Sequence, residues 1–131
     1  MAHRKEKIIT FRTARKSDWH PANHWGTWSK KRSCEIEFIS DYTEGTIIDI
    51  FIRLNRHSYR QSDPVAIIEA GTGPYAFTLS EHQQFFKLSG FVKANGIVTL
   101  RLLARGKFPA DTPYGGYIGW SGIAYCQQGH A

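Results

Sequence analysis

From Thr46 to Leu54 the chain alternates. Ile48, Ile50, Ile52 and Leu54 fall on one side of an extended backbone, and Ile47, Asp49, Phe51 and Arg53 fall on the other. The same period of two recurs from Ile97 to Ala104, where Val98, Leu100, Leu102 and Ala104 oppose Ile97, Thr99, Arg101 and Leu103 directly after the turn dipeptide Asn95-Gly96. Shorter runs rich in β-branched and aromatic residues lie at Lys7 to Thr13, Ser33 to Ile39, Val65 to Ala70, Tyr75 to Leu79, Gln84 to Leu88 and Gly119 to Cys126. Turn formers separate them at Glu44-Gly45, Gly71-Thr72-Gly73-Pro74 and Pro113-Tyr114-Gly115-Gly116. About eight short, closely spaced strands predict an all-β fold, an antiparallel β-sandwich or barrel. The segment Leu79 to Gln84 carries Ser80 as a helix cap with Gln83 three positions on, but Gly90 and the flanking phenylalanine pairs limit it to one turn.

Length and composition agree with this pattern. A chain of 131 residues is the size of one domain, and no linker, repeat or low-complexity tract divides it. Aromatics at 14% and a single methionine suit a β-rich core better than a helical bundle. The longest apolar runs, Val65 to Ile68 and Ile123 to Cys126, are four residues each, whereas a membrane-spanning helix needs about twenty. Ile8, Ile9 and Phe11 are too few for a secretory h-region of about seven or more apolar residues, so the expected location is cytoplasmic. Cys34 and Cys126, ninety-two positions apart, match no zinc or redox spacing and are expected as free thiols.

Charge is uneven. The net charge is +6, yet nine of the seventeen Lys and Arg lie in residues 1–32 against Glu6 and Asp18, which gives that segment +7 and the remainder −1. Residues 1–16 are therefore expected as a basic N-terminal strand or arm. A basic pole either keeps a domain soluble or attracts nucleic acid, phospholipid head groups or acidic glycans.

The densest chemistry lies between Asp18 and Ser29, where Trp19, Trp25 and Trp28 occur with His20 and His24. Pro21 and Gly26 make this a loop leading into the strand at Ser33. Tryptophan offers a flat platform for sugar C–H faces, cations or bases, and it also serves to plug the open end of a sandwich. Along an extended chain Trp25 and Trp28 point to opposite faces, so Trp28, nearer the strand, is expected in the core and Trp25 outside it. Asp18, His20 and His24 form no closed ligand set, and no metal or cofactor is expected.

Enzymatic signals are weak. There is no Gly-x-Ser-x-Gly elbow. Gly71-Thr72-Gly73 lacks the Lys-Ser/Thr of a phosphate loop, and Glu35 and Glu37 alternate with Ile36 and Phe38 as a solvated face would. The polar stretch Arg53, Asn55, Arg56, His57, Tyr59 and Arg60 offers planar donors for carboxylates, phosphates or sugar hydroxyls, and it fits an ordinary loop equally well.

Trp19-His20-Pro21 followed by Trp25-Gly26-Thr27-Trp28-Ser29 and an alternating strand resembles the opening of a β-sandwich segment appended to bacterial glycosyltransferases that build cell-surface polysaccharides. The later order also fits, with a polar strand exit near Arg53 to Asn55, a central strand at Val65 to Ile68 and a closing strand at Gly119 to Tyr125. The resemblance covers residues 17–126. It implies a jelly-roll-like accessory or carbohydrate-binding module with a glycan or a glycosyltransferase as partner, and it implies no transferase active site. The sequence therefore predicts a non-catalytic module that reads a glycan through Trp19, Trp25, Trp28, His20, His24 and Arg53. The second class is a nucleic-acid or anionic-polymer binder that uses the basic N-terminal region.

Overall fold

In a computed structural model of the chain, the described residues are 7–9, 14–17, 19, 27–28, 32–54, 65–78, 85–105 and 119–128. The alternating segments become strands: β1 (Lys7–Ile9), β2 (Arg15–Ser17), β3 (Thr27–Trp28), β4 (Ser33–Ile39), β5 (Ile47–Leu54), β6 (Val65–Glu69), β7 (Pro74–Thr78), β8 (Phe85–Phe91), β9 (Ile97–Arg105) and β10 (Gly119–Gln127). All eight expected strands are present, and Ser33–Ile39 has the expected bounds. β2 and β3 are additional, and at three and two residues they are too short to show a period. The helical turn expected from Leu79 to Gln84 lies outside the described residues.

Every strand pairing among the described residues is antiparallel. One sheet, sheet A, runs β1-β10-β5-β8 with β3 also on β10, and the other, sheet B, runs β2-β4-β9-β6-β7. Among these strands the chain crosses between sheets at every step except β6 to β7. This is the double-sheet arrangement of a jelly roll.

The core lies between the sheets because each strand turns one side inward. Ile48, Ile50, Ile52, Leu88 and Ile123 from sheet A meet Ile36, Phe38, Ile68, Val98, Leu100 and Leu102 from sheet B, and all are buried. Rings interlock across the gap, with Phe38 and Tyr125 centroids 5.2 Å apart and those of Phe77 and Phe86 4.7 Å apart. Gly90 continues β8 instead of ending it. Its backbone faces this core, and a Cβ there would overlap Ile50 Cδ1.

The Asn95-Gly96 turn forms as the dipeptide predicts, with φ of 63° and 77°. A Cβ on Gly96 would lie 2.8 Å from the Ser40 carbonyl oxygen, so glycine is needed there for space as well as conformation. The Ser40 amide and hydroxyl both donate to the Gly96 carbonyl, at 2.7 and 2.9 Å, which fastens this turn to the end of β4. Cys34 and Cys126 are both buried, one facing the core from sheet B and the other on the far side of sheet A. No helix among the described residues is long and apolar enough to cross a membrane.

Candidate functional site

The outward side of β5 defines the site. Because Ile48, Ile50 and Ile52 point inward, Asp49, Phe51 and Arg53 point away from the core. Register then aligns neighbours in rows across β10, β5 and β8. Gly122, Arg53 and Phe85 form one row; Ala124, Phe51 and Lys87 the next; Cys126, Asp49 and Ser89 a third. Ile8 of β1 extends the middle row beyond Ala124.

Large and small residues shape this face. Ile8 is 82% exposed and Phe85 64%, both unusual for side chains of their size. Gly122 and Ala124 between them leave the floor low, and a groove of about 460 Å³ runs past Ile8, Phe51, Arg53, Phe85, Gly122 and Ala124. Arg53 lies over the Phe85 ring, with its guanidinium carbon 5.2 Å from the centroid. That contact holds a planar donor beside an apolar surface.

The electrostatics of the face follow from burial. Asp49 is 1% exposed. Its Oδ1 accepts a hydrogen bond from Gln128 Nε2 at 3.1 Å, and its Oδ2 lies 3.7 Å from Lys87 Nζ. Gln128 Nε2 also donates to Ser89 Oγ at 3.3 Å. The carboxylate is thus covered, whereas the Arg53 and Lys87 side chains reach solvent. A ligand in the groove meets positive charge beside apolar carbon.

The expected site residues separate. Arg53 is on this face. Trp19 is buried in the core, 7% exposed, with its Nε1 donating to the Glu35 carbonyl at 2.9 Å, a position that closes the β2–β4 side of sheet B. The backbone of Trp28 pairs with Gly119, so β3 borders β10 and belongs to the same sheet as Arg53. His20, His24 and Trp25 lie outside the described residues, as do Asn55 to Arg60. Glu35 and Glu37 do form a solvated face, paired with Arg101 at 3.0 Å and Arg15 at 3.8 Å. Phe51, Phe85, Lys87 and Gly122 were not singled out from sequence. The alternation around Arg53 already put Phe51 on its side, while Phe85 and Gly122 join through register alone. Among the described residues no three His, Cys, Asp or Glu side chains cluster as metal ligands would.

No family profile matches the chain, and no curated protein matches it either. Among solved structures it is similar to the Podospora anserina GH26-CBM35 β-(1,4)-mannanase, at 12% identity and a TM-score of 0.59, over 96% of this chain and 28% of that one. It is also similar to a family two carbohydrate esterase from Cellvibrio japonicus, at 13% identity and a TM-score of 0.50, over 98% of this chain and 35% of that one. The chain thus spans about a third or less of the length of each. At this identity the likeness is one of fold.

Proposed function

We propose that this chain is a non-catalytic carbohydrate-binding module whose ligand lies along the outer face of sheet A. The observation that carries the reading is the Arg53–Phe85 pair beside an open groove. A sugar ring needs a flat apolar surface for its C–H face and planar donors for its hydroxyls, and this row supplies both. The fold supports it, because the similar chains belong to a mannanase and a carbohydrate esterase, each much longer than this one. A module of this kind serves as an accessory to a larger enzyme, and the resemblance of the Trp-rich segment makes a glycosyltransferase the proposed partner. Strand β3 borders the same sheet, so Trp25, Trp28, His20 and His24 are proposed to lengthen the platform, while the buried Trp19 on the sheet B side takes no part in it.

Charge sharpens the ligand class. With Lys87 paired to the covered Asp49, the exposed Arg53 gives this face a net positive charge, so glycans carrying carboxylates are favoured over neutral ones. The same cations favour the second reading, a binder of anionic polymers including nucleic acid. Affinity gels cast with neutral and carboxylated polysaccharides, run from 50 to 500 mM salt, separate the two. Retardation by a carboxylated polysaccharide that persists at high salt and is lost in Phe85→Ala supports the glycan reading. Retardation that disappears with salt and is equal on single-stranded DNA supports the polyanion reading. No retardation by any polysaccharide contradicts the module.

A further inference from the structure

We infer that the chain carries a second saccharide site, at the opposite end of β8 from Phe85, which takes a neutral sugar. A cleft of about 320 Å³ lies where the β6–β7 turn meets the end of β8 and the middle of β9, lined by Glu69, Gly71, Phe91, Lys93, Thr99 and Arg101. This is the low end of the range for small-molecule sites, which suits a single sugar unit.

The walls are held by the fold. The Phe91 amide donates to the Ala70 carbonyl at 2.8 Å, and a Cβ on Gly71 would lie 2.9 Å from Phe91 Cβ. Glycine at position 71 is what lets the turn sit against the base of this side chain while 36% of the residue stays exposed. On the other wall Lys93 Nζ donates to Thr99 Oγ1 at 2.6 Å, and the Lys93 amide donates to the Ile97 carbonyl at 2.8 Å.

The ligand class follows from the charges. Arg101 stands in register between Glu35 and Glu69 on the neighbouring strands, with its Nε 3.0 Å from Glu35 Oε1. The formal charges of Glu35, Glu69, Lys93 and Arg101 cancel, so the cleft gives no net attraction to an anion. Acceptors on Glu69 and donors on Lys93 and Arg101 line the same space, which matches hydroxyl groups that both donate and accept. Phe91 adds the apolar wall for a C–H face. Neutral sugars fit these demands, and carboxylated ones belong at the cationic face.

Phe91 stands six residues from Phe85 on β8, but Glu69, Thr99 and Arg101 point away from the core on sheet B, so the cleft and the sheet A groove open on different sides of the sandwich.

The test is a titration of the full chain, followed by amide NMR, with mannohexaose, cellohexaose and xylohexaose as neutral probes. At least one probe is expected to shift Gly71, Phe91, Lys93 and Thr99 saturably, with an affinity that changes less than twofold between 50 and 500 mM salt. Phe91→Ala should weaken those shifts at least tenfold and leave any shifts at Arg53, Phe85 and Gly122 unchanged. Glu69→Gln, on an exposed side chain, should weaken them severalfold and serves if Phe91→Ala fails to fold. No probe-induced shift at these residues, or shifts indifferent to both variants, overturns the second site. The sheet A face is scored separately by Phe85→Ala, so either site can fail without the other.

Discussion

Arg53 and Phe85 sit opposite each other on β5 and β8, and the guanidinium lies over the ring at 5.2 Å from its centroid. Neither residue needs the other for the core. Both point away from it, so their stacking shapes a surface and contributes little to folding, about 0.5–1 kcal/mol for an exposed cation–π pair. A pair that does little for stability yet keeps a large aromatic ring in water is where the proposed ligand would stack.

Asp49 shows the reverse balance. Asp49→Ala removes the buried acceptor of Gln128 and the partner of Lys87, and it should cost about 1–3 kcal/mol in chemical denaturation. Lys87 is largely exposed, so water recovers part of its loss. Asp49→Asn should cost less than alanine, because the amide oxygen still accepts from Gln128. Equal stability of wild type and alanine variant would contradict the role given to this carboxylate.

Two glycines separate backbone strain from crowding. Gly45 and Gly71 have φ of 92° and 98°, but a Cβ at Gly45 meets nothing within 4 Å while one at Gly71 meets Phe91 Cβ at 2.9 Å. Gly45→Ala should therefore cost about 1 kcal/mol and Gly71→Ala about 2–3 kcal/mol. Comparable midpoints in thermal unfolding would show that Phe91 moves aside freely.

Trp19 is expected to act through folding. Trp19→Ala should lower the unfolding free energy by about 3–5 kcal/mol through lost burial and a cavity. Trp19→Phe should lose about 1–2 kcal/mol, since it retains much of the apolar contact but not the indole donor to Glu35. A thermal midpoint for Trp19→Ala within a degree or two of wild type would count against a core position.

Alkaline pH should weaken the fold. Burial holds the Tyr125 hydroxyl above its ordinary value, and the hydrogen bond to Asp41 does the same for the Lys7 ammonium. In both cases the folded chain keeps its proton longer than the unfolded chain. Their contributions are complete below about pH 10 and are lost as pH rises beyond it. Tyr75, lowered first by its hydrogen bond with Thr72, works in the opposite direction. Denaturation midpoints should fall between pH 9.5 and 11, more shallowly in Tyr125→Phe. A rise over that interval would contradict the assignment.

Much of the fold was legible because alternation is local. Ile48, Ile50 and Ile52 announce a buried side of β5 without reference to any other strand, and Asn95-Gly96 announces its own turn. β2 and β3 were not, since two or three residues carry no period and form only against β4 and β10. The site was half legible for the same reason. Arg53 and Phe51 share a side by spacing, but Phe85 reaches Arg53 only through the β5–β8 register, which depends on both sheets closing. Trp19 illustrates the remaining ambiguity, because a tryptophan in a Pro- and Gly-containing segment serves equally as platform or plug, and burial decides which.

The most direct measurement of the central claim is the binding of a retained carboxylated polysaccharide by wild type, Phe85→Ala and Arg53→Gln, with thermal midpoints recorded alongside. Ligand stacking on the exposed ring predicts a loss of about 1–3 kcal/mol of binding in Phe85→Ala, a smaller loss in Arg53→Gln, and melting curves that move by only a few degrees. Unchanged binding in both variants, with the folds intact, would place the glycan elsewhere on the chain and contradict the account.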